Sequence, residues 1–391
     1  MELIARSHFP LGLPPSRFLR EFWQKKPLLI RNAFPGFRSP VSPDELAGLS
    51  CEEGALSRLI RHERERDGWQ VQSGPLPESI FATLPPRDWT LLVQDVDKWD
   101  ADVRALLAHF SFLPRWRIDD IMVSYAVEGG SVGAHVDQYD VFLLQGLGRR
   151  RWMIDASPNP PTAFRPDVEL KQLMQFTPTH DWVLEPGDML YLPPGVPHHG
   201  VALEECLTLS VGMRAPSAGE LLVDLAETLA EKLPEGVRYS DPDLSISEAD
   251  GGIGAPVLQR LRAALCAMNE LDDATLTTWF ADFSTRYRSA GQIAAPPRTP
   301  SAAQVEKRLA AGASLHLHPL ARCVWHRARS AGKGRAQLTM DGEAFHCTAS
   351  LARHLAQGRA LTMDDFTALD TQDRERVQTW VKRGILSLSS R

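Results

Sequence analysis

Between Trp89 and Arg214 the chain alternates short β-type runs with Gly- and Pro-containing turns, at residues 91–94, 121–127, 141–145, 150–154, 189–192 and 206–211. No long helical period separates these runs, so they predict an antiparallel sandwich or barrel rather than a parallel sheet with crossover helices. The 29 prolines follow no period, which fits a turn-rich β part and excludes a collagen-like chain or a long linker. With 43% hydrophobic and 24% charged residues the chain has globular composition, and its 391 residues suffice for two or three domains.

The flanks differ in character. Residues 16–25 predict a helix with Phe18, Phe22 and Trp23 on one stripe and Ser16 as its cap, followed by a strand at 28–30. Beyond Pro216, residues 219–233, 256–268 and 275–287 have the spacing of amphipathic helices. The Ala-Pro-Pro-Arg-Thr-Pro stretch at 295–300 predicts a linker. After it, helical runs at 302–311 and 371–382 and strand runs at 336–340, 344–348 and 384–388 suggest a small α+β domain of winged-helix type. No internal repeat is evident.

Five cysteines, Cys51, Cys206, Cys266, Cys323 and Cys347, are odd in number and never form Cys-x-x-Cys, so buried thiols are expected rather than a disulfide frame. The first 15 residues lack a secretory apolar run, and no stretch reaches the roughly 18 apolar residues of a membrane span. The expected compartment is the cytoplasm. The net charge of −6 conceals an asymmetry: residues 291–391 hold 15 Lys and Arg against 8 Asp and Glu, and residues 1–290 hold 28 against 41. An acidic body attracts basic partners. The basic tail has scattered charges without interleaved aromatics, so direct nucleic-acid binding is not expected.

The chemistry concentrates in Gly-Ala-His135-Val-Asp137-Gln-Tyr139. On a strand, His-x-Asp sends imidazole and carboxylate to the same face, where both can hold one metal. A third ligand comes from the turn Pro-Gly-Asp-Met-Leu-Tyr-Leu-Pro-Pro-Gly-Val-Pro-His198-His199, where only one of the two histidines can face inward. Two histidines and one carboxylate make the facial set of non-haem Fe(II) oxygenases, which leaves three metal positions open. Zinc hydrolysis is disfavoured, because no helical His-x-x-x-His with a general-base Glu is present. In Arg149-Arg150-Arg151-Trp152-Met-Ile154, Arg150 shares a face with Trp152 and Ile154 and so points inward, where it needs an anionic partner such as a bound carboxylate. A surface basic cluster is the plainer alternative. On the preceding strand Asp120, Met122, Ser124 and Ala126 share one face. Tyr139, two residues past Asp137, faces inward by the same parity, although a turn-capping Asp and a core Tyr explain Asp120 and Tyr139 equally well.

The runs Arg117-Ile-Asp-Asp-Ile-Met-Val-Ser-Tyr-Ala-Val, Gly-Ala-His135-Val-Asp137-Gln-Tyr-Asp-Val-Phe, Gln145-Gly-Leu-Gly-Arg-Arg-Arg-Trp and the Pro-Gly-Asp turn to His198 resemble the bacterial JmjC-type ribosomal oxygenases. The resemblance implies an α+β protein: a double-stranded β-helix (JmjC/cupin barrel) at 89–216 behind an N-terminal lead at 1–88, a helical dimerisation segment at 217–294 and a winged-helix-like domain at 295–391. It implies Fe(II) held by His135, Asp137 and His198, favouring His198 over His199, and 2-oxoglutarate held by Ser124 and Arg150. Asp120 and Tyr139 resemble residues that grip a substrate arginine. Ala126 stands where relatives can carry a serine, which touches only a secondary contact. The implied reaction uses O2 to hydroxylate an arginine of a large-subunit ribosomal protein, with succinate and CO2 as products, in a homodimer. The same chemistry on another ribosomal residue, for example histidine, and a non-enzymatic cupin-like ligand-binding module are the alternatives.

Overall fold

The structure, a computed structural model, describes residues 1–236, 238–242, 253–265, 271–286, 293–327 and 334–389. The chain divides into two units, one formed mainly by Met1–Ala215 and the other mainly by residues from Pro216 onward. The first unit runs β1 (Glu2–Ile4), α1 (Pro15–Glu21), β2 (Leu28–Arg31), α2 (Pro43–Leu49), β3 (Ser57–Glu63), β4 (Gly68–Ser73), β5 (Trp89–Val93), α3 (Val96–Trp99), α4 (Ala101–Ala105) and β6 (Ile118–Ala126). It continues as β7 (Val141–Leu147), β8 (Arg150–Ile154), β9 (His180–Leu184), β10 (Met189–Leu192), β11 (His198–Ala202) and β12 (Cys206–Met213).

Nine of these strands form one sheet in the order β1-β2-β10-β7-β12-β6-β5-β3-β4, parallel only between β1 and β2, and β11-β8-β9 form a second, antiparallel sheet. The two are the walls of a double-stranded β-helix. Strand alternation explains why Val141-Phe-Leu-Leu is apolar throughout: Val141 and Leu143 pack with Trp152, Ile154 and Leu184, while Phe142 and Leu144 enter the outer core. That outer core holds Phe18, Phe22 and Tyr191, with the Phe18 and Tyr191 rings edge to face at 4.9 Å. Burying an aromatic side chain there contributes about 1.5–3 kcal/mol, so α1 is fixed against the back of β7 and β10 by apolar contact.

Residues 1–88 supply β1 to β4 to the nine-stranded sheet itself. Ser16 does not cap α1: the helix starts at Pro15, whose fixed φ suits the first helical position, and Pro14 precedes it without a side-chain cap. The β3–β4 hairpin and β9 carry no periodicity strong enough to be anticipated.

In the second unit α5 (Ala218–Ala230), α6 (Ala255–Ala264) and α7 (Asp273–Thr285) precede α8 (Ala302–Ala310), β13 (Ser314–Leu317), β14 (Cys323–His326), β15 (Arg335–Met340) and β16 (Glu343–Thr348). The chain ends with α9 (Ala349–Ala356), α10 (Met363–Thr367), α11 (Thr371–Lys382) and β17 (Leu386–Ser389). Strands β14-β15-β16 form an antiparallel sheet and β13 pairs β17, the strand content of a winged helix. Helix α7 buries Trp279, Ala281 and Phe283, and Asp224 on α5 accepts from both Trp279 Nε1 and Arg286 Nη2. By contrast α5 and α6 leave Leu222, Val223, Leu258 and Leu261 exposed. Cys266, residues 266–268 of the second expected helix and Tyr287 of the third lie outside the described residues. Cys51, Cys206, Cys323 and Cys347 are free thiols. No described helix is long and apolar enough to cross a membrane.

Candidate active site

His135 and His198 face each other through a reciprocal backbone pair, His135 N–H to His198 O at 3.0 Å and His198 N–H to His135 O at 2.9 Å. His198 opens β11, but His135 lies in an isolated bridge and Asp137 in the following loop, so regular strand alternation is not what brings the His-x-Asp pair together. The bridge to β11 does so, together with Gly195 N–H, which donates to Asp137 O at 2.8 Å. One ligand atom from each of His135, Asp137 and His198 lies within 4.8 Å of the others.

Both imidazoles are oriented alike. The Nδ1 of His135 sits 3.0 Å from Gly133 O, and that of His198 sits 3.0 Å from Val196 O. A carbonyl can only accept, so each Nδ1 carries the proton and each Nε2 turns a lone pair inward, as metal ligation requires. Burial, and next the neighbouring His135, push the His198 pKa down to about 4, which keeps its ring neutral. His199 takes the other side of the strand, where its Nε2 lies 3.1 Å from Ser131 Oγ, and it does not line the cavity. This donor set fits a divalent iron with open positions.

The cavity beside it has a volume of about 270 Å³, and its walls include Asp120, Ser124, His135, Asp137, Tyr139, Arg150 and His198, the seven residues expected to hold metal, cosubstrate and substrate. Arg150 on β8 is buried, with Nη1 donating to Ser124 Oγ at 3.3 Å and Nη2 to Gly200 O at 3.5 Å. Its Nε has no partner, and no acid pairs with it among the described residues. Burial lowers its pKa, and the Trp152 ring lies 5.0 Å from its guanidinium carbon. A buried guanidinium with an orphaned N–H is a binding site for an anion. Its neighbours have ordinary partners: Arg149 pairs with Glu204 and Arg151 with Asp181 at the surface. Gly200 is required here, because a Cβ would stand 2.7 Å from Trp152 and 2.8 Å from Arg150 Nε.

Asp120 is partly open to the cavity, and burial drives its pKa up to about 7 against the hydrogen bond from Asp95 N–H to its Oδ2 at 2.9 Å. Tyr139 lies at the exposed side of the cavity, and desolvation followed by the Asp137 charge raises its pKa. Ala126 is fully buried in the sheet and does not line the cavity. Sequence reasoning passed over Asp95, Asp119 and Gly212, which also line it. The glycine inside a strand was the one available signal.

Comparison with known proteins agrees with this geometry. The JmjC domain family matches residues 105–221, and the ROXA-like winged helix family matches residues 266–387. The chain is 40% identical to the ribosomal protein uL16 3-hydroxylase of Escherichia coli over 284 residues, 72% of this chain and 74% of that one. It is similar to the X-ray structure of E. coli YcfD with a TM-score of 0.83 at 34% identity, over 97% of this chain and 99% of that one. YcfD, a ribosomal oxygenase from E. coli, has also been solved with cobalt and 2-oxoglutarate, and that structure matches with a TM-score of 0.79 at 33% identity, over 97% of this chain and 99% of that one.

Proposed function

Because this chain belongs to the JmjC ribosomal oxygenases, we propose that it is an Fe(II)- and 2-oxoglutarate-dependent hydroxylase of an arginine in large-subunit ribosomal protein uL16. The observation that carries the reading is the buried, acid-free Arg150 in the same cavity as the His135, Asp137 and His198 donor set. His135, Asp137 and His198 hold the iron, and Arg150 with Ser124 holds the distal carboxylate of 2-oxoglutarate. When bound, Fe(II) with 2-oxoglutarate and O2 supplies the oxidant that inserts one oxygen atom into a C–H bond and releases succinate and CO2.

The protein's task is placement and water exclusion. Arg150 and Ser124 would hold and orient 2-oxoglutarate through its distal carboxylate, and Val141, Leu143 and Trp152 keep the adjoining wall dry. Asp120 receives the substrate guanidinium and Tyr139 flanks its aliphatic stem, so that one side-chain carbon is presented to the metal-facing side. The acidic body draws in a basic ribosomal protein. The enzyme works in the cytoplasm as a homodimer, joined through the exposed leucines of α5 and α6.

The test is incubation with Fe(II), 2-oxoglutarate and uL16, reading succinate and the intact mass of uL16. A gain of one oxygen on an arginine, with succinate above the protein-free level, is the expected result. An unchanged mass with no stimulated succinate overturns the reading, and oxygen on a histidine would correct the target residue alone.

A further inference from the structure

Gly212 is the penultimate residue of β12, and its backbone does not explain why it is glycine. Its φ lies outside the left-handed region, and a Cβ built there would meet only Asp120, 3.2 Å from Oδ1 and 4.0 Å from the carbonyl oxygen. Glycine inside a strand is unfavourable unless something approaches closely. Gly200 has such a reason in Trp152 and Arg150; Gly212 has the cavity it lines.

The local register sharpens the point. Pairing of β12 with β6 steps from Val211 opposite Ile121 to Met213 opposite Ile118, so Asp119 and Asp120 together oppose Gly212. Two residues against one is a β-bulge, a device that re-aims side chains. Both aspartates line the cavity here. Asp95, in the left-handed conformation with φ 57°, directs its N–H to Asp120 Oδ2, while Oδ1 accepts no hydrogen bond among the described residues. The oxygen held by the protein is thus Oδ2, and the oxygen left open is the one beside Gly212.

We propose that Gly212 is a specificity-determining residue: the side chain it lacks is the space through which a substrate guanidinium reaches Asp120 Oδ1. A guanidinium N–H must come within about 2.7–2.9 Å of the carboxylate oxygen, so a methyl already 3.2 Å from Oδ1 occupies the same shell. Overpacking of this kind costs enough to weaken binding about 10-fold to 100-fold. The inference rests on Asp120 being the substrate's acceptor.

The test measures the dissociation constant of uL16 for anaerobic protein loaded with Fe(II) and 2-oxoglutarate, in wild type, Gly212→Ala, Asp120→Ala and the double variant. Gly212→Ala weakens binding at least about 10-fold. In the Asp120→Ala background the same change shifts affinity by less than about 2-fold, because the atom it obstructs is gone. Wild-type affinity in Gly212→Ala with impaired Asp120→Ala overturns the role of Gly212 and leaves Asp120 as the acceptor. Wild-type affinity in Asp120→Ala removes the acceptor itself. Equal losses in both backgrounds, or a large fall in melting temperature with Gly212→Ala, make the glycine structural and overturn the proposal.

Discussion

Arg150 Nη1 donates to Ser124 Oγ across 3.3 Å, joining β8 of the small sheet to β6 of the large one inside the barrel. The contact is longer than a charge-assisted hydrogen bond and is the closest polar contact of a guanidinium without any acid. An arrangement so undersupplied with acceptors suits a carboxylate that both groups can reach.

Arg150→Ala therefore raises the 2-oxoglutarate requirement steeply. Losing a buried bidentate pair costs about 2–5 kcal/mol, or roughly 30-fold to several thousand-fold in KM. Arg149→Ala stays near wild type, since its partner Glu204 is a solvent-exposed carboxylate. Steady-state titration of 2-oxoglutarate checks both, and a larger effect from Arg149 would reject the inward orientation as the functional one.

Removing one metal donor leaves the other two with incomplete geometry. His135→Ala, Asp137→Ala and His198→Ala each lose stoichiometric Fe(II) after dialysis, with activity falling to background while the fold persists. His199→Ala keeps its iron, because that ring turns toward Ser131. Metal analysis of the four variants decides the matter, and the reverse order for His198 and His199 would exchange their roles.

If Asp120 is the acceptor proposed for the substrate guanidinium, substrate affinity should depend on pH. Its pKa in the fold, about 7, lies above the usual 3.8, so its contribution to stability is full below 3.8 and is lost as pH rises through about 7. Substrate binding runs the other way, since a guanidinium pairs only with the carboxylate. Affinity for uL16 should fall about tenfold per unit as pH drops below about 7. Asp120→Asn binds 2-oxoglutarate but is weak toward uL16 and loses this slope. Binding measured from pH 5.5 to 8.5 checks it, and a parallel slope in the variant would assign the titration to another group.

How much of this was legible depended on whether a feature is local. Arg150 could be oriented from its own strand, because alternation with Trp152 and Ile154 is a property of consecutive residues. The residue types of His135 and Asp137 were equally legible, but the strand assumed for them was not there; their placement comes from the bridge to His198, 63 residues away from His135. The bulge at Asp119–Asp120 is a property of two paired strands, so a one-chain parity argument gave Asp120 and missed Asp119. The left-handed backbone of Asp95 had no local signal such as a glycine.

Tyr191 offers the last test, on the anchor behind the metal-binding loop. Its hydroxyl donates to Asp140 Oδ1 at 2.6 Å and accepts from Gln24 N–H at 2.8 Å, while Asp140 Oδ2 accepts from Gln24 Nε2 and Arg117 Nη2. Asp140 is fully buried; its carboxylate ties the loop three residues past Asp137 to Tyr191 of β10, to Gln24 beyond α1 and to Arg117, while its carbonyl accepts from Met213 N–H of β12. Tyr191→Phe keeps the ring that packs on Phe18 but strands two polar partners, and should cost about 1–3 kcal/mol. Asp140→Ala also leaves the half-buried Arg117 without that carboxylate and should cost about 3–5 kcal/mol. Urea denaturation measures both. The same slack reaches Asp137, so Fe(II) affinity should fall in the same order as stability, and wild-type stability in Asp140→Ala would show that the network is not the anchor of this loop.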